Sequence, residues 1–318
     1  MGTVAAVPAS ATGRRVQTGD VIARWVAFAF AASILVLAVL LVYQLWAGSA
    51  GARHKFGWGF LTSSKWNPVT EEFGALPFIY GTVVTSFLAL LISTPLGLGA
   101  AIFLSELASA RLSSALTFLI ELLAAIPSVI YGLLAIFTLV PLMRTTIEPF
   151  LKSWLGYLPL FKGVAFGVSY LTAALVLSVM TIPFVISVSR EALLAVPREQ
   201  REAALALGAT RWESTWQVVV PYAKLGILGS VFLSLARALG ETMAVTMVIG
   251  NDPSIHASLL APGYTIAAVI ANEFAEAVGV YRGALVELGL VLFCLTILIN
   301  AMARLMIVAT TRKGSKRA

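Results

Sequence analysis

The sequence predicts an all-α integral membrane protein with six transmembrane helices, and three observations carry that reading. Of its 318 residues 59% are hydrophobic and only 12% charged, with a mean hydropathy of +0.92. The apolar residues gather into runs of about the 20 residues that a helix needs to cross a bilayer, where only helices and closed barrels satisfy their own backbone. A polar island, Pro197 to Lys224, separates two of those runs.

Taken in order, residues 1–20 are rich in Ala, Gly and Thr and read as an N-terminal tail of little structure. Arg14-Arg15 is followed by Val-Gln-Thr-Gly-Asp, a poor continuation for a twin-arginine signal. The apolar run after it is too long for a secretory leader, so it reads as an uncleaved first span at about 21–46. Trp25 and Trp46 are placed there to sit at opposite interfaces. A polar, aromatic loop follows to Pro77. Further spans at about 78–104, 115–140, 164–189, 225–249 and 284–308 complete a membrane domain over 21–310, and residues 311–318 form a basic tail. Pro95, Pro127 and Pro183 are expected to kink the second, third and fourth spans, which is tolerated where neighbouring helices or a wet cavity meet the freed carbonyls.

Six spans leave both termini on one side. The segments 1–24, 105–114, 190–224 and 304–318 carry fourteen lysines and arginines, against seven on the other side. That excess places both termini and the 190–224 loop in the cytoplasm. The formal charge of +7 is therefore a topological signal; the basic residues form no aromatic-interleaved platform for nucleic acid. Cys294 is the single cysteine, which excludes an intrachain disulfide, and its apolar surroundings read as packing. His54 and His256 fall in loops and read as solvated. No metal constellation or catalytic triad is visible, and no G-x-x-x-x-G-K-[ST] phosphate loop.

The polar island has its own local logic. Pro197 suits a first helical position, Arg198 to Leu207 are good helix formers, and Gly208 can stop the helix in a left-handed conformation. Thr210 and Glu213 have capping-box spacing, which starts a second helix, and Pro221 limits it. The expectation is two short helices joined by a glycine turn outside the lipid. The order Glu202-Ala203-Ala204, Gly208-Ala209, Pro221, Gly226-Ile227 resembles the EAA loop of binding-protein-dependent ABC importer permeases. Val218-Val219-Val220 stands where that family has Ile-x-Leu, which keeps the apolar character. The resemblance implies a six-span importer permease whose cytoplasmic helix–turn–helix, through Glu202, Ala203, Ala204, Gly208 and Ala209, couples to a cleft in a separate ATPase subunit.

Arg237 and Glu241 lie in the fifth span, four residues apart and so on one helical face. An unpaired charge at that depth costs at least about 2.5–3.5 kcal/mol. One reading is a static ion pair that fixes helix packing. The other is a polar path in which Arg237 meets an anion while Glu241 tunes its charge and orientation. A guanidinium suits the bidentate geometry of phosphate oxygens, and equally serves sulfate or a carboxylate. Glu121 reads as marking the start of the third helix, and Glu287 as close enough to an interface to be solvated.

Arg237-Ala238-Leu239-Gly240-Glu241-Thr242-Met243-Ala244 resembles the RALGETMA signature of phosphate-importer permeases. Trp66-Asn67-Pro68 with Phe73 to Thr82, Ala125 to Gly132, and Tyr264 to Phe274 are similar to other segments of the PstC-type family. The resemblance runs from Trp66 to the last helix. It implies a half-channel in a bacterial inner membrane that pairs with a PstA-type permease, with two copies of an ABC ATPase below and an extracytoplasmic phosphate-binding protein above. ATP and Mg²⁺ would then act on the partner ATPase, with no cofactor in this chain and no enzymatic activity of its own. Two alternatives stand beside it: a permease for another oxyanion, and an ion-coupled secondary transporter, which leaves the EAA-like loop idle. An intramembrane enzyme is disfavoured because no credible catalytic set is present.

Overall fold

Apolar helices that must satisfy their own backbone dictate the architecture. The structure, a computed structural model, describes residues 12–315, with side chains from 19 to 305; the ends of both tails read at 1–20 and 311–318 lie outside the described residues. Six helices are long and apolar enough to cross a bilayer. They are α1 (Thr12–Gly48), α4 (Leu76–Leu107), α6 (Ser128–Leu155), α7 (Tyr170–Leu194), α9 (Arg211–Leu239) and α12 (Gly279–Ser315). Between them lie shorter helices: α2 (Ala50–Phe56), α3 (Gly59–Thr62), α5 (Ala110–Ala125), α8 (Arg198–Ala206), α10 (Met243–Val248) and α11 (Ile266–Glu273). The aromatic loop after α1 is more ordered than the sequence suggests. It holds α2, α3 and a small antiparallel hairpin, Trp66–Asn67 on Glu72–Phe73, pinned by Trp66 Nε1 donating to Glu273 at 2.9 Å.

Three buried clusters stack along the bundle. One at the α8 end joins Ile102, Leu193, Val219 and Ala223; a middle one joins Ala89, Tyr170, Met180 and Val245; the third, at the far end, joins Phe60, Phe78, Ile266 and Leu285. Helices α4 and α7 form the central pair. Gly97 lets them touch: a Cβ there would lie 2.7 Å from Val185, inside van der Waals contact. Small residues at such crossings are the usual means of close helix approach in lipid. Pro95 and Pro183 lie inside these same helices, which run on through both.

Other prolines are handled differently. In α6 and α9 a wide π turn closes two residues before the proline: 135–139 before Pro141, 143–147 before Pro149, and 215–219 before Pro221. A proline lacks an N–H and crowds the carbonyl four residues back, so a widened turn relieves both defects. Pro221 therefore does not limit its helix. The second short helix expected after Gly208 is the first turn of α9, and the free loop is shorter than 190–224.

The third span also differs from the expectation. The stretch 115–140 is not one kinked helix; α5 stops at Ala125, Ile126 and Pro127 are extended, and α6 begins at Ser128. Proline drives its predecessor out of the helical region, and the Leu123 carbonyl, which lacks the N–H that Pro127 cannot supply, accepts from the Ile126 N–H at 3.3 Å and the Tyr131 hydroxyl at 2.8 Å. Helix α7 starts at Tyr170 rather than 164 because Ser169 caps it, accepting from the Thr172 N–H. Glu121 lies exposed in the second half of α5, not at a helix start.

Gly97→Leu should drive α4 off α7 and lower stability by about 1–3 kcal/mol, read as a drop in the thermal unfolding midpoint of the detergent-solubilised protein. Val185→Ala in the same chain should restore part of the loss. A melting curve unchanged by Gly97→Leu would show that the helices do not meet there.

Candidate functional site

The fifth span is broken. Helix α9 ends at Leu239, Gly240 and Glu241 leave the helical ladder, and α10 restarts at Met243. The depth of this break follows from its neighbours. Arg237 stacks on Phe184, its guanidinium carbon 4.2 Å from the ring centroid. Phe184 lies near the middle of the 25-residue α7, about 15 Å from its α8 end at 1.5 Å per residue. From there α10 completes the crossing, and its Val248 carbonyl accepts from the Ser169 N–H at the start of α7.

The break at Pro127 lies beside it. A Cβ on Gly132 would fall 3.1 Å from the Ala244 Cα and 2.6 Å from the Met247 sulfur, so the start of α6 packs directly on α10. Two interrupted helices thus meet at mid-depth. Such irregular backbone survives in a membrane only where protein or a water-filled cavity covers it.

The break separates Arg237 from Glu241. The sequence puts them on one helical face, but the helix ends between them, and no Arg237–Glu241 ion pair occurs among the described residues. Glu241 instead turns toward α10, its Oε1 accepting from the Ala244 N–H at 3.3 Å. Arg237 is exposed on the surface of this chain, held only over an aromatic face. The static-pair reading loses its geometry. The signal for the break was available in Gly240 followed by Glu241-Thr242, a glycine stop and then a short polar side chain.

At the α8 end, the expected turn forms. Gly208 has φ +89°, in the left-handed region, and the Ala209 N–H donates to the Ala204 carbonyl at 3.2 Å. The capping box is complete: the Thr210 hydroxyl accepts from the Glu213 N–H while the Glu213 carboxylate accepts from the Thr210 N–H. Pro197 sits one residue earlier than expected, outside the first turn. Glu202, Ala203 and Gly208 are exposed, and Ala204 and Ala209 half-buried. Around them Leu207 is 90% exposed and Trp212 56%, apolar side chains of the kind that mark a docking surface.

Sequence reasoning missed what holds this surface. The Arg201 guanidinium binds Glu106, at the end of α4, through two hydrogen bonds of 2.9 and 3.1 Å. It also donates to the Leu193 carbonyl in the last turn of α7 and to the Val196 carbonyl just past it. Both side chains are largely buried, 20% and 10% exposed. One residue therefore ties α8 to both central helices, a long-range pairing that no local motif announces.

A bundle with interrupted helices and an exposed charge at mid-depth, ending in a rigidly mounted surface helix, is the architecture of a membrane transport subunit. The family described as binding-protein-dependent transport system inner membrane component matches residues 93–310, and the chain belongs to that family. It is 51% identical over 284 residues to the phosphate transport system permease protein PstC of Mesorhizobium japonicum, 87% of each chain. It is 46% identical to the PstC of Pasteurella multocida, across 91% of each. The probable PstC of Methanocaldococcus jannaschii is 36% identical over 84% of this chain and 87% of its own. Among solved structures, a bacterial alginate ABC transporter superposes with a TM-score of 0.60 at 17% identity, over 91% of this chain and 96% of that one. The MetNI methionine ABC transporter gives 0.55 at 18%, over 73% and 94%. At these identities the structural likeness is one of fold. Together these findings place the chain as a multi-pass inner-membrane permease.

Arg201→Gln should strand Glu106 in its buried site and cost roughly 3 kcal/mol, the range for breaking a buried pair. The Arg201→Gln/Glu106→Gln double variant should recover more than half. A thermal double-mutant cycle in detergent checks this; strictly additive losses would mean the two residues do not interact.

Proposed function

We propose that this chain is the permease subunit of an ATP-driven inorganic phosphate importer, forming half of the translocation path. The observation that carries the reading is Arg237, exposed at mid-depth beside a helix break with no ion-pair partner among the described residues. A guanidinium in lipid is costly, so its open face belongs to a wet path or to a neighbouring subunit. The names of the PstC relatives support phosphate as the anion. Stacking on Phe184 orients the planar donor fork for two oxygens of a phosphate. Glu241, across the break, tunes the charge of the path so that the anion leaves as well as binds.

The remaining partners follow from this reading. A PstA-type permease supplies the other half of the path, two ABC ATPase subunits receive the α8 surface, and a phosphate-binding protein delivers substrate on the far side. Both termini and α8 face the cytoplasm, as the distribution of Lys and Arg favours. ATP and Mg²⁺ act on the ATPase. This chain makes and breaks no bonds; closure of the ATPases moves α8, and the Arg201 tie carries that motion to α4 and α7.

Two measurements test the proposal. Reconstituted with its partners, the wild-type chain should take up phosphate in preference to sulfate. Arg237→Gln should cut uptake by about 10- to 100-fold, the worth of one charged hydrogen bond or more, while assembly and ATPase docking survive. Undiminished phosphate uptake by a stable Arg237→Gln variant would remove Arg237 from the path, and equal or greater sulfate uptake by the wild type would overturn the substrate.

Gly208→Pro addresses the coupling surface. Proline cannot adopt φ +89°, so the turn must re-form at a cost of about 1–2 kcal/mol or more. Substrate-stimulated ATP hydrolysis by the assembled complex should fall about tenfold with membrane insertion unchanged. Full stimulation would show that the 206–210 turn does not mount the ATPase contact.

A further inference from the structure

Glu287 is not solvated, as its position near a span end suggested. It is 6% exposed, and its Oε2 is buried with no hydrogen-bond partner among the described residues. An unpartnered buried carboxyl is costly and calls for a donor. It lines a cleft of about 600 Å³, within the range of small-molecule sites. Gly57, Trp58 and Leu61, from the α2–α3 segment, stand over one part of this cleft, and the Leu290–Leu298 face of α12 lines another. Cys294, read from the sequence as buried packing, is exposed on that wall.

The same cleft holds a cation. The Arg53 guanidinium lies 3.5 Å over the Trp46 ring, and its Nε donates to the Ser49 hydroxyl at 3.0 Å. No nitrogen of Arg53 comes within 4.0 Å of Glu287, since no such ion pair occurs among the described residues. One cleft thus presents a cation and an acid that make no direct ion pair with each other. Their level is set by the close approach of Gly48 to Val286, where a Cβ would lie 3.2 Å from the valine side chain. That puts both charges beside Trp46, at the bilayer interface remote from α8, where aromatic belts lie. Below them the wall is apolar.

A complementary occupant carries an anion, a cation and a long apolar tail together. We propose that this cleft binds a phospholipid with a primary-amine headgroup, its phosphate on Arg53, its ammonium on Glu287, and an acyl chain along the Leu290–Leu298 face. Only a primary ammonium can donate a hydrogen bond to the Glu287 carboxylate; a trimethylated one cannot. The inference is independent of the anion that the complex transports.

The test uses the assembled transporter in mild detergent, supplied with equal amounts of phosphatidylethanolamine, phosphatidylcholine and phosphatidylglycerol, with retained lipid read by native mass spectrometry. A hydrogen bond to a charged group is worth about 1.5–3 kcal/mol, so wild type should retain phosphatidylethanolamine over phosphatidylcholine by about tenfold or more. Glu287→Gln should bring that ratio close to one. Arg53→Gln should lower retention of both lipids alike, and Cys294→Trp, which leaves both charges in place and fills the cleft, should do the same. Equal retention of the amine and trimethylamine lipids by wild type overturns the proposal, as does a preference that survives both Glu287→Gln and Cys294→Trp. A photocrosslinker on Cys294 should capture lipid; capture of another subunit would show that the cleft is a protein interface.

Discussion

A guanidinium halfway through a bilayer constrains everything around it. Arg237 cannot reach either interface from a helix that ends two residues later, so the protein must keep its open face out of hydrocarbon. The surrounding features answer that demand. Phe184 covers one face of the cation, α10 and α6 meet beside it, and the helix ends so that Glu241 turns to the start of α10 rather than neutralising the charge. An exposed cation at that depth needs water or a neighbouring protein beside it, and the chain belongs to a family described as a component of a transport system.

The two sides of α8 are held in different ways. Arg201 binds a carboxylate on one central helix, a carbonyl of the other and a second carbonyl just past that helix's end, so α8 is tied to both α4 and α7. On its other side α8 is joined to α9 by the Gly208 turn, where no neighbouring atom lies within 4 Å of a would-be Cβ. One side of this short helix is thus tied to the bundle by a buried ion pair, and the other passes into α9 through a glycine turn closed by a capping box.

Much of this was legible in the sequence because it depends on local rules. The number of spans, the Gly208 stop and the Thr210–Glu213 box rest on residue types at fixed spacing, and the structure has all three. The broken spans were harder. Gly240 in an apolar run reads like the many glycines that lipid tolerates, and Pro127 resembles Pro95, through which α4 runs on. What separates them is tertiary: a tyrosine hydroxyl donating to a carbonyl in the last turn of α5 in one case, and a partner helix packed flush against the proline's turn in the other. Glu106 and Arg201, ninety-five positions apart, share no pattern that a single sequence displays. Glu287 looked near enough to water by count along the helix, but α2 and α3 cover that level of α12.

The wide turns ahead of Pro141, Pro149 and Pro221 have a consequence for how surfaces are aimed. Each absorbs one residue more than an α-turn, and one residue is worth about 100° of rotation about the helix axis. The Trp212 side of α9 is therefore phased differently from the Arg237 side of the same rod. The α8-end stub and the mid-depth charge can therefore face different directions without a bend in the helix. Losing a residue between 215 and 219 would straighten the ladder and swing one face away from its target, so the length of that segment, rather than its composition, sets the alignment.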